Sequence, residues 1–366
     1  MNRTPPQRSV NRTLVITDLH LNSRVPGLLE AQCDCVIDIF RKENPTEVII
    51  MGDVFMYRKP SPRELLGFKD ILESIQPRLG ITIIRGNHDS ETKADDGVTA
   101  LSLFESKNLG SNAPARISVV TQTYTDHVSK RVYIPHYENE KIIIEHLEMV
   151  PAGYTVFGHF GYDGCLNSVG DADFGISLSN FSTNTFLGHI HGFREEQGGL
   201  RGSHSRVVCL GTPYTTNFGE AFKENFYAIL DDGGARTTKD TAGSDSQGTP
   251  YITEYKQSTC GPRHLVYSAK EIENNLEIIN DPNYFTLLRI KVDSDHYPIP
   301  YDKIKVAHVG VVYEPIFDEQ EISSYDPEGD LFSINEMIIS DYVDSANSTI
   351  PREILMDGYR LLKDED

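Results

Sequence analysis

The chain has 366 residues, 39% of them hydrophobic, which is room for a full core and a second, smaller module. No apolar stretch approaches the roughly 20 residues that cross a bilayer, so no membrane is expected among its partners. The 54 acidic and 34 basic residues give a net charge of −20, which argues against holding nucleic acid by overall charge.

Residues 1–12 read as a flexible basic arm carrying Arg3, Arg8 and Arg12. The opening Met1-Asn2-Arg3-Thr4-Pro5-Pro6 lacks the apolar core of a signal peptide, so a cytoplasmic location is expected, in the host cytoplasm if the chain is phage-encoded. From 13 to 232, strand-like runs alternate with helical ones, the α/β pattern. The strand-like runs include Leu14-Val15-Ile16, Val48-Ile49-Ile50-Met51, Ile81-Thr82-Ile83-Ile84, Tyr154-Thr155-Val156-Phe157 and Phe186-Leu187. Helical spacing covers Leu28 to Arg41, Pro62 to Ser74 and Glu140 to Val150. Cys33 and Cys35 fall in the first of these; two apart, they do not share a helix face. No second cysteine pair completes a zinc site, so all five cysteines read as reduced thiols. Arg206 to Leu210 and Asn225 to Leu230 read as further strands around Gly211-Thr212-Pro213.

The stretch 233–250 is Gly, Asp, Thr, Ser and Lys with almost no apolar residue, a linker by composition. A small α+β module is expected over 251–315, with a helical stretch from Ser268 to Asn275 and strands at Tyr284 to Val292 and Lys305 to Tyr313. Residues 316–366 read as an acidic segment followed by an amphipathic helical tail, Pro351 to Lys363.

Each of the five strand-like runs ends in metal-ligand residue types: Asp18 and His20, Asp53, Asn87, His159, and His189 with His191. Ligands of open α/β sheets gather at the carboxyl ends of strands. An isolated Asp there is usually a turn or cap residue, but five strand ends carrying the needed types are not explained that way. Nitrogen and oxygen donors without thiolate suit manganese, iron(II), zinc or nickel over calcium. Two such ions about 3.5–4 Å apart form a binuclear hydrolase centre, which activates water and holds a phosphate ester for in-line attack. His88, one residue out of phase with Asn87, is the candidate to stabilise the transition state or protonate the leaving oxygen. Asp89 is placed to orient its ring. His136, after Val132-Tyr133-Ile134-Pro135, is a candidate substrate contact. Arg24, Arg58, Lys59 and Arg63, in or near the first two motif loops, are candidate DNA-binding residues or plain solvated charge.

The set Asp18-x-His20, Gly52-Asp53, Gly86-Asn87-His88-Asp89, Gly158-His159 and Gly188-His189-x-His191 resembles the calcineurin-like metallophosphoesterase superfamily over roughly residues 13 to 230. The resemblance implies an α/β, four-layer α-β-β-α sandwich, two mixed sheets face to face with helices outside. Protein Ser/Thr phosphatases of the superfamily carry Gly-Asp-x-x-Asp-Arg-Gly, whereas Asp53 here is followed by Val54-Phe55-Met56-Tyr57. Purple acid phosphatases place a metal-binding Tyr where Met56 stands. Gly52-Asp53-Val54-Phe55, Gly86-Asn87-His88-Asp89-Ser90, Leu210-Gly211-Thr212-Pro213-Tyr214 and Phe218-Gly219-Glu220-Ala221 are similar to the SbcD-type DNA repair nucleases, including the bacteriophage recombination endonuclease subunit.

That likeness implies a manganese-dependent DNA exo/endonuclease with a capping module at 251–315 and C-terminal helices that hold an SMC-like coiled-coil ATPase subunit; it is also compatible with a homodimer. It further implies one metal on Asp18, His20, Asp53 and His191, a second on Asp53, Asn87, His159 and His189, and His88 as the catalytic histidine. Met56 stands where many cellular members carry His, and Asn22 replaces a frequent Gly. The rival readings are a phosphomonoesterase or cyclic-nucleotide phosphodiesterase on the same scaffold, and a non-catalytic binding scaffold.

Overall fold

Apolar residues at alternate positions of the first strand, Arg12–Ile16, face opposite ways, and this decides the layering. The computed structural model describes residues 11–77, 79–106, 116–165, 175–199, 205–232, 251–292 and 299–313. In chain order the elements are β1 (Arg12–Ile16), α1 (Leu28–Glu43), β2 (Glu47–Ile50), α2 (Pro62–Ser74), β3 (Gly80–Ile84), β4 (Ile117–Val120), β5 (Tyr124–Asp126) and β6 (Arg131–Ile134). Then come α3 (Glu140–Glu148), β7 (Thr155–His159), β8 (Thr185–Gly188), β9 (Arg194–Gly198), β10 (Ser205–Cys209), β11 (Phe226–Asp232) and β12 (Tyr251–Gln257). Last are β13 (Pro262–Ser268), α4 (Leu276–Ile279), β14 (Phe285–Val292) and β15 (His308–Tyr313). Met1–Val312 makes up one compact unit, which holds the candidate site.

The first sheet has the order β12-β11-β1-β2-β3-β4, and the second β5-β6-β7-β8-β10-β9. Strands β1 to β4 run parallel, as do β6, β7, β8 and β10, while β11 and β12 run antiparallel. Val15, Ile49, Met51 and Ile84 of the first sheet pack with Tyr133, Phe157, Phe186 and Val208 of the second, so the sheets share an inner core. Leu14, Ile16, Val48 and Ile50 point the other way, into a core closed by Val36 and Ile39 of α1 and Phe68 and Ile71 of α2. Val132, Ile134, Val156 and Leu187 meet Ile143 and Leu147 of α3 on the far side. Strands buried on both faces need continuous apolar runs, which is why these read so clearly in the sequence. The protein is a four-layer α-β-β-α sandwich.

Helix α2 begins where the sequence placed it. Ser61 Oγ accepts from Glu64 N (3.3 Å), Glu64 Oε2 accepts from Ser61 N (2.7 Å), and Pro62 opens the first turn. Two features differ from the sequence reading. Residues 251–257, expected to open the separate module, instead form β12 on the edge of the first sheet. The stretch from Ser268 to Asn275 is broken into two short 3-10 turns before α4, and the independent three-stranded sheet, β13-β14-β15, begins at Pro262. As expected from their spacing, Cys33 and Cys35 do not pair; Cys35 stands 2.8 Å, sulfur to sulfur, from Cys260, and all five cysteines are free thiols. The linker 233–250, the segment 316–366 and all but the end of the basic arm lie outside the described residues. Among the described residues no helix is long and apolar enough to cross a membrane.

Candidate metal centre

The carboxyl ends of β1, β2 and β3 meet those of β7 and β8. Asp18 N donates to Gly52 O (3.0 Å) and His20 N to Asp53 O (2.9 Å), so the first two loops run side by side. From the other sheet, His189 N donates to Asp18 Oδ2 (3.0 Å). Asp18, His20, Asp53 and His189 all have left-handed backbone, with φ of 53°, 43°, 49° and 77°. Such a conformation costs a residue with a side chain about 1–3 kcal/mol and persists where the surroundings enforce it. The loops also approach too closely for a side chain at two points: a Cβ on Gly86 would collide with Asp53 Oδ1, and one on Gly188 with Thr17 Oγ1.

Asp53 stands between two groups of donors. Its Oδ2 lies 3.7 Å from His20 Nε2, and its Oδ1 lies 3.3 Å from His159 Nε2. On the first side, His20 Nε2 and His191 Nε2 are 3.1 Å apart, each 3.7 Å from Asp18 Oδ1. On the second side, Asn87 Oδ1 is 3.2 Å from His159 Nε2 and 3.0 Å from His189 Nδ1. All seven ligands expected from the sequence thus converge.

Two of the rings have their tautomer set from behind. His159 Nδ1 donates to Met51 O (2.6 Å), and His191 Nδ1 donates to Glu220 Oε1 (2.5 Å), which turns the Nε2 lone pair of each into the cluster. Burial would raise the Asp18 carboxyl, but His159, His20 and His191 pull it down to about 2. Asp53 is likewise held well below the carboxylate range, against its burial, by His159, His20 and His88. Burial presses His159 down, yet Asp53 and Asp18 more than offset this and lift it to about 9. The pocket demands positive charge. Imidazole nitrogens, carboxylate and amide oxygens, and no thiolate fit a pair of divalent transition-metal cations.

Residues 11–193, half of the chain and the span that contains all seven donors, match the family described as calcineurin-like phosphoesterase. The chain belongs to that family. This phosphoesterase is therefore a hydrolase of phosphoester bonds, in a family that uses divalent metal ions. Among solved structures it is similar to nuclease MPE of Pseudomonas putida, with 14% identity, a TM-score of 0.29, and 61% of this chain and 85% of that one covered. It is also similar to an archaeal phosphodiesterase, with 14% identity, a TM-score of 0.31, and 67% of this chain and 99% of that one covered. No curated protein matches the sequence.

His88 sits at the rim of the phosphoesterase cluster. Its backbone N donates to Asp53 Oδ1 (2.8 Å), its Nδ1 donates to Met56 O (2.6 Å), and its ring stands edge-on to His20 at 4.9 Å. The expected role of Asp89 needs correcting. It does not orient the His88 ring; its carboxylate accepts from Val54 N (3.0 Å), Phe55 N (3.3 Å) and Gly86 N (2.9 Å). Neighbouring side chains on this loop point apart, so Asp89 staples the Asp53 and Asn87 loops together from below while a carbonyl serves His88.

Of the candidate DNA contacts, Arg58 lines a cleft beside Asn87 and His189, together with His136. Arg24 lies over the Tyr57 ring at 3.6 Å, and Lys59 and Arg63 are exposed; none of these three lines that cleft. Two functional residues escaped the sequence reading of the site. Glu220, which is 1% exposed, braces His191 and accepts from Thr216 N (2.6 Å) and Asn217 Nδ2 (2.8 Å). Arg85, also 1% exposed, donates to Ser90 Oγ (2.9 Å) and His136 O (2.5 Å) beneath the cleft. The Phe218-Gly219-Glu220-Ala221 motif was the available signal for the first; Arg85, after an apolar strand, offered none.

Proposed function

We propose that this phosphoesterase is a two-metal phosphodiesterase that acts on DNA, as the exo/endonuclease subunit of an ATPase-coupled recombination or repair complex. The observation that carries it is the two-sided placement of Asp53, with a complete donor group on each side and an open, cation-bearing cleft next to one of them. In this reading Asp18, His20, Asp53 and His191 hold one cation, and Asp53, Asn87, His159 and His189 the other, manganese being the preferred metal. Bound cations of this kind activate water and neutralise phosphoryl oxygens. The chain itself supplies orientation and a proton. Because His88 gives its Nδ1 proton to the Met56 carbonyl, it exchanges a proton with substrate only at Nε2, toward the leaving oxygen. Asp89 keeps the loops that carry Asp53 and Asn87 in register.

The finer assignment rests on the SbcD-like motifs, in which Glu220 now has a physical role as the carboxylate behind His191. An SMC-like ATPase partner, docked by residues 351–363, would supply the DNA affinity that a net charge of −20 does not. Arg24, Arg58, Lys59 and Arg63 are the proposed backbone contacts, Arg58 being the one that lines the cleft. The test is incubation of the pure protein with manganese and bis-p-nitrophenyl phosphate, then with end-labelled linear and circular DNA, with and without candidate ATPases. Turnover of the diester and of DNA is expected. Turnover of phosphomonoesters alone would overturn the nuclease in favour of a phosphatase; no turnover of any ester would favour a binding scaffold.

A further inference from the structure

The cleft beside Asn87 and His189 has a volume of about 550 Å³, and a carboxylate sits among its cations. Glu138 Oε1 accepts from Arg58 Nη2 (3.1 Å) and lies 3.9 Å from His136 Nε2, and its Oε2 lies 3.9 Å from Lys93 Nζ. The walls that carry these groups are tied down. Arg58 Nη1 donates to the carbonyls of Ser90 (3.3 Å) and Thr92 (3.0 Å), so its guanidinium is aimed before anything binds. The Glu138 backbone N donates to both oxygens of Asp95 (2.9 and 3.1 Å), a residue itself held at φ 53°. Buried Arg85 joins the Ser90 and His136 segments underneath. Of the other carboxylates, Glu140 also lines the cleft but is engaged by Gly175 N (2.9 Å).

Arg58, Lys93 and Lys141 line this recess next to the donors for a hydrolytic metal, and the anion that Arg58 and Lys93 meet there is the Glu138 carboxylate. The Arg58 and Glu138 side chains are 29% and 31% exposed, so their pairing is screened and easily exchanged. A phosphate offers more acceptor oxygens than the carboxylate and suits the planar guanidinium fork better.

We propose that Glu138 holds the place of a second substrate phosphate: Arg58 and Lys93 bind a phosphate of the nucleic-acid chain flanking the scissile one, and Glu138 gives way to it. This rests on the reading of the centre as a nucleic-acid phosphodiesterase, and it adds how such a centre selects a polynucleotide over an isolated diester.

The experiment compares kcat/KM of the full chain with manganese on thymidine dinucleotides that have no terminal phosphate, a 5′ phosphate or a 3′ phosphate, with bis-p-nitrophenyl phosphate as the diester control. One terminal phosphate is expected to raise kcat/KM by about tenfold or more, the scale of a charge-assisted contact. Arg58→Gln should bring that ratio close to one. Lys93→Gln, at a side chain 77% exposed and so safe for folding, should lower it a few-fold. Glu138→Gln should raise it. A role confined to holding the loops would depress all dinucleotides alike and leave the ratio untouched in Arg58→Gln and Lys93→Gln, which would overturn the proposal. So would wild-type cleavage of the dinucleotides with no preference for a terminal phosphate. Cleavage of bis-p-nitrophenyl phosphate with none of any dinucleotide would instead strike the nucleic-acid reading beneath it.

Discussion

The two halves of the metal centre are built differently. Asp18, His20 and His191 are closed in, Asp18 wholly buried and His20 3% exposed, and the His191 ring is braced from behind by Glu220. On the other side Asn87 and His189 give onto the cleft of Arg58 and Lys93, while His159, fully buried behind them, shares the Asn87 carbonyl oxygen with His189. The first half resembles a fitting made to retain a cation. The second is made so that something else can reach it. Among the described residues, only Asp53 belongs to both.

That contrast can be broken outright by Asp53→Ala. Metal binding should be lost on both sides, and turnover should fall to background, as metal analysis and diester hydrolysis would report; a variant retaining one cation at full affinity would show that the halves do not share this carboxylate. Next in size is His88→Asn, which should keep both cations yet cost about 10²–10⁴-fold in kcat, the scale of general acid catalysis. Loss of a cation along with activity would make His88 a ligand, which its reach to His20 and Asp53 allows sterically.

Glu220→Gln sharpens the contrast. Loss of the carboxylate behind His191 should weaken metal binding in the closed half by about 10–100-fold and leave the other half alone. A manganese titration should then resolve two affinities; equal weakening of both would refute the division. The smallest effect concerns the outer support of that half. Thr215, on the Glu220 loop, lies 3.0 Å through its Oγ1 from His264 Nδ1 on β13. Burial lowers His264 from its ordinary 6.5 to about 4, so the unfolded chain takes up a proton that the folded protein refuses. This contribution is complete above pH 6.5 and fades as the pH falls toward 4, by about 2 kcal/mol near pH 5. Thermal unfolding followed from pH 7 to 5 should decline less steeply in His264→Gln than in the native chain; parallel curves would rule His264 out.

The donors were legible because each follows an apolar strand buried on both faces, where residue type and position are fixed together. Helix α2 was legible through Pro62 at its first turn and the apolar spacing of Leu65, Phe68, Ile71 and Leu72, and the structure adds the Ser61–Glu64 capping box. What could not be read depends on segments distant in the chain. Glu220 serves a ring 29 residues away, Arg58 meets a carboxylate 80 residues away, and Cys35 finds Cys260 across 225. Strand β12 was missed because its neighbour in the chain is a polar linker while its partner in space is β11. Asp89 misled through adjacency: sitting next to His88 in sequence, it turns inward to three backbone amides.

The missing Cβ atoms at Gly86 and Gly188 have a bearing on redesign. Where loops touch backbone to side chain without spare volume, even alanine must push Asp53 or Thr17 aside, so the floor of the pocket tolerates almost no change of alphabet. Evolution or an engineer seeking a new preference would have to work on the rim, at positions 58, 93 and 138, over a chemistry-bearing base that stays constant.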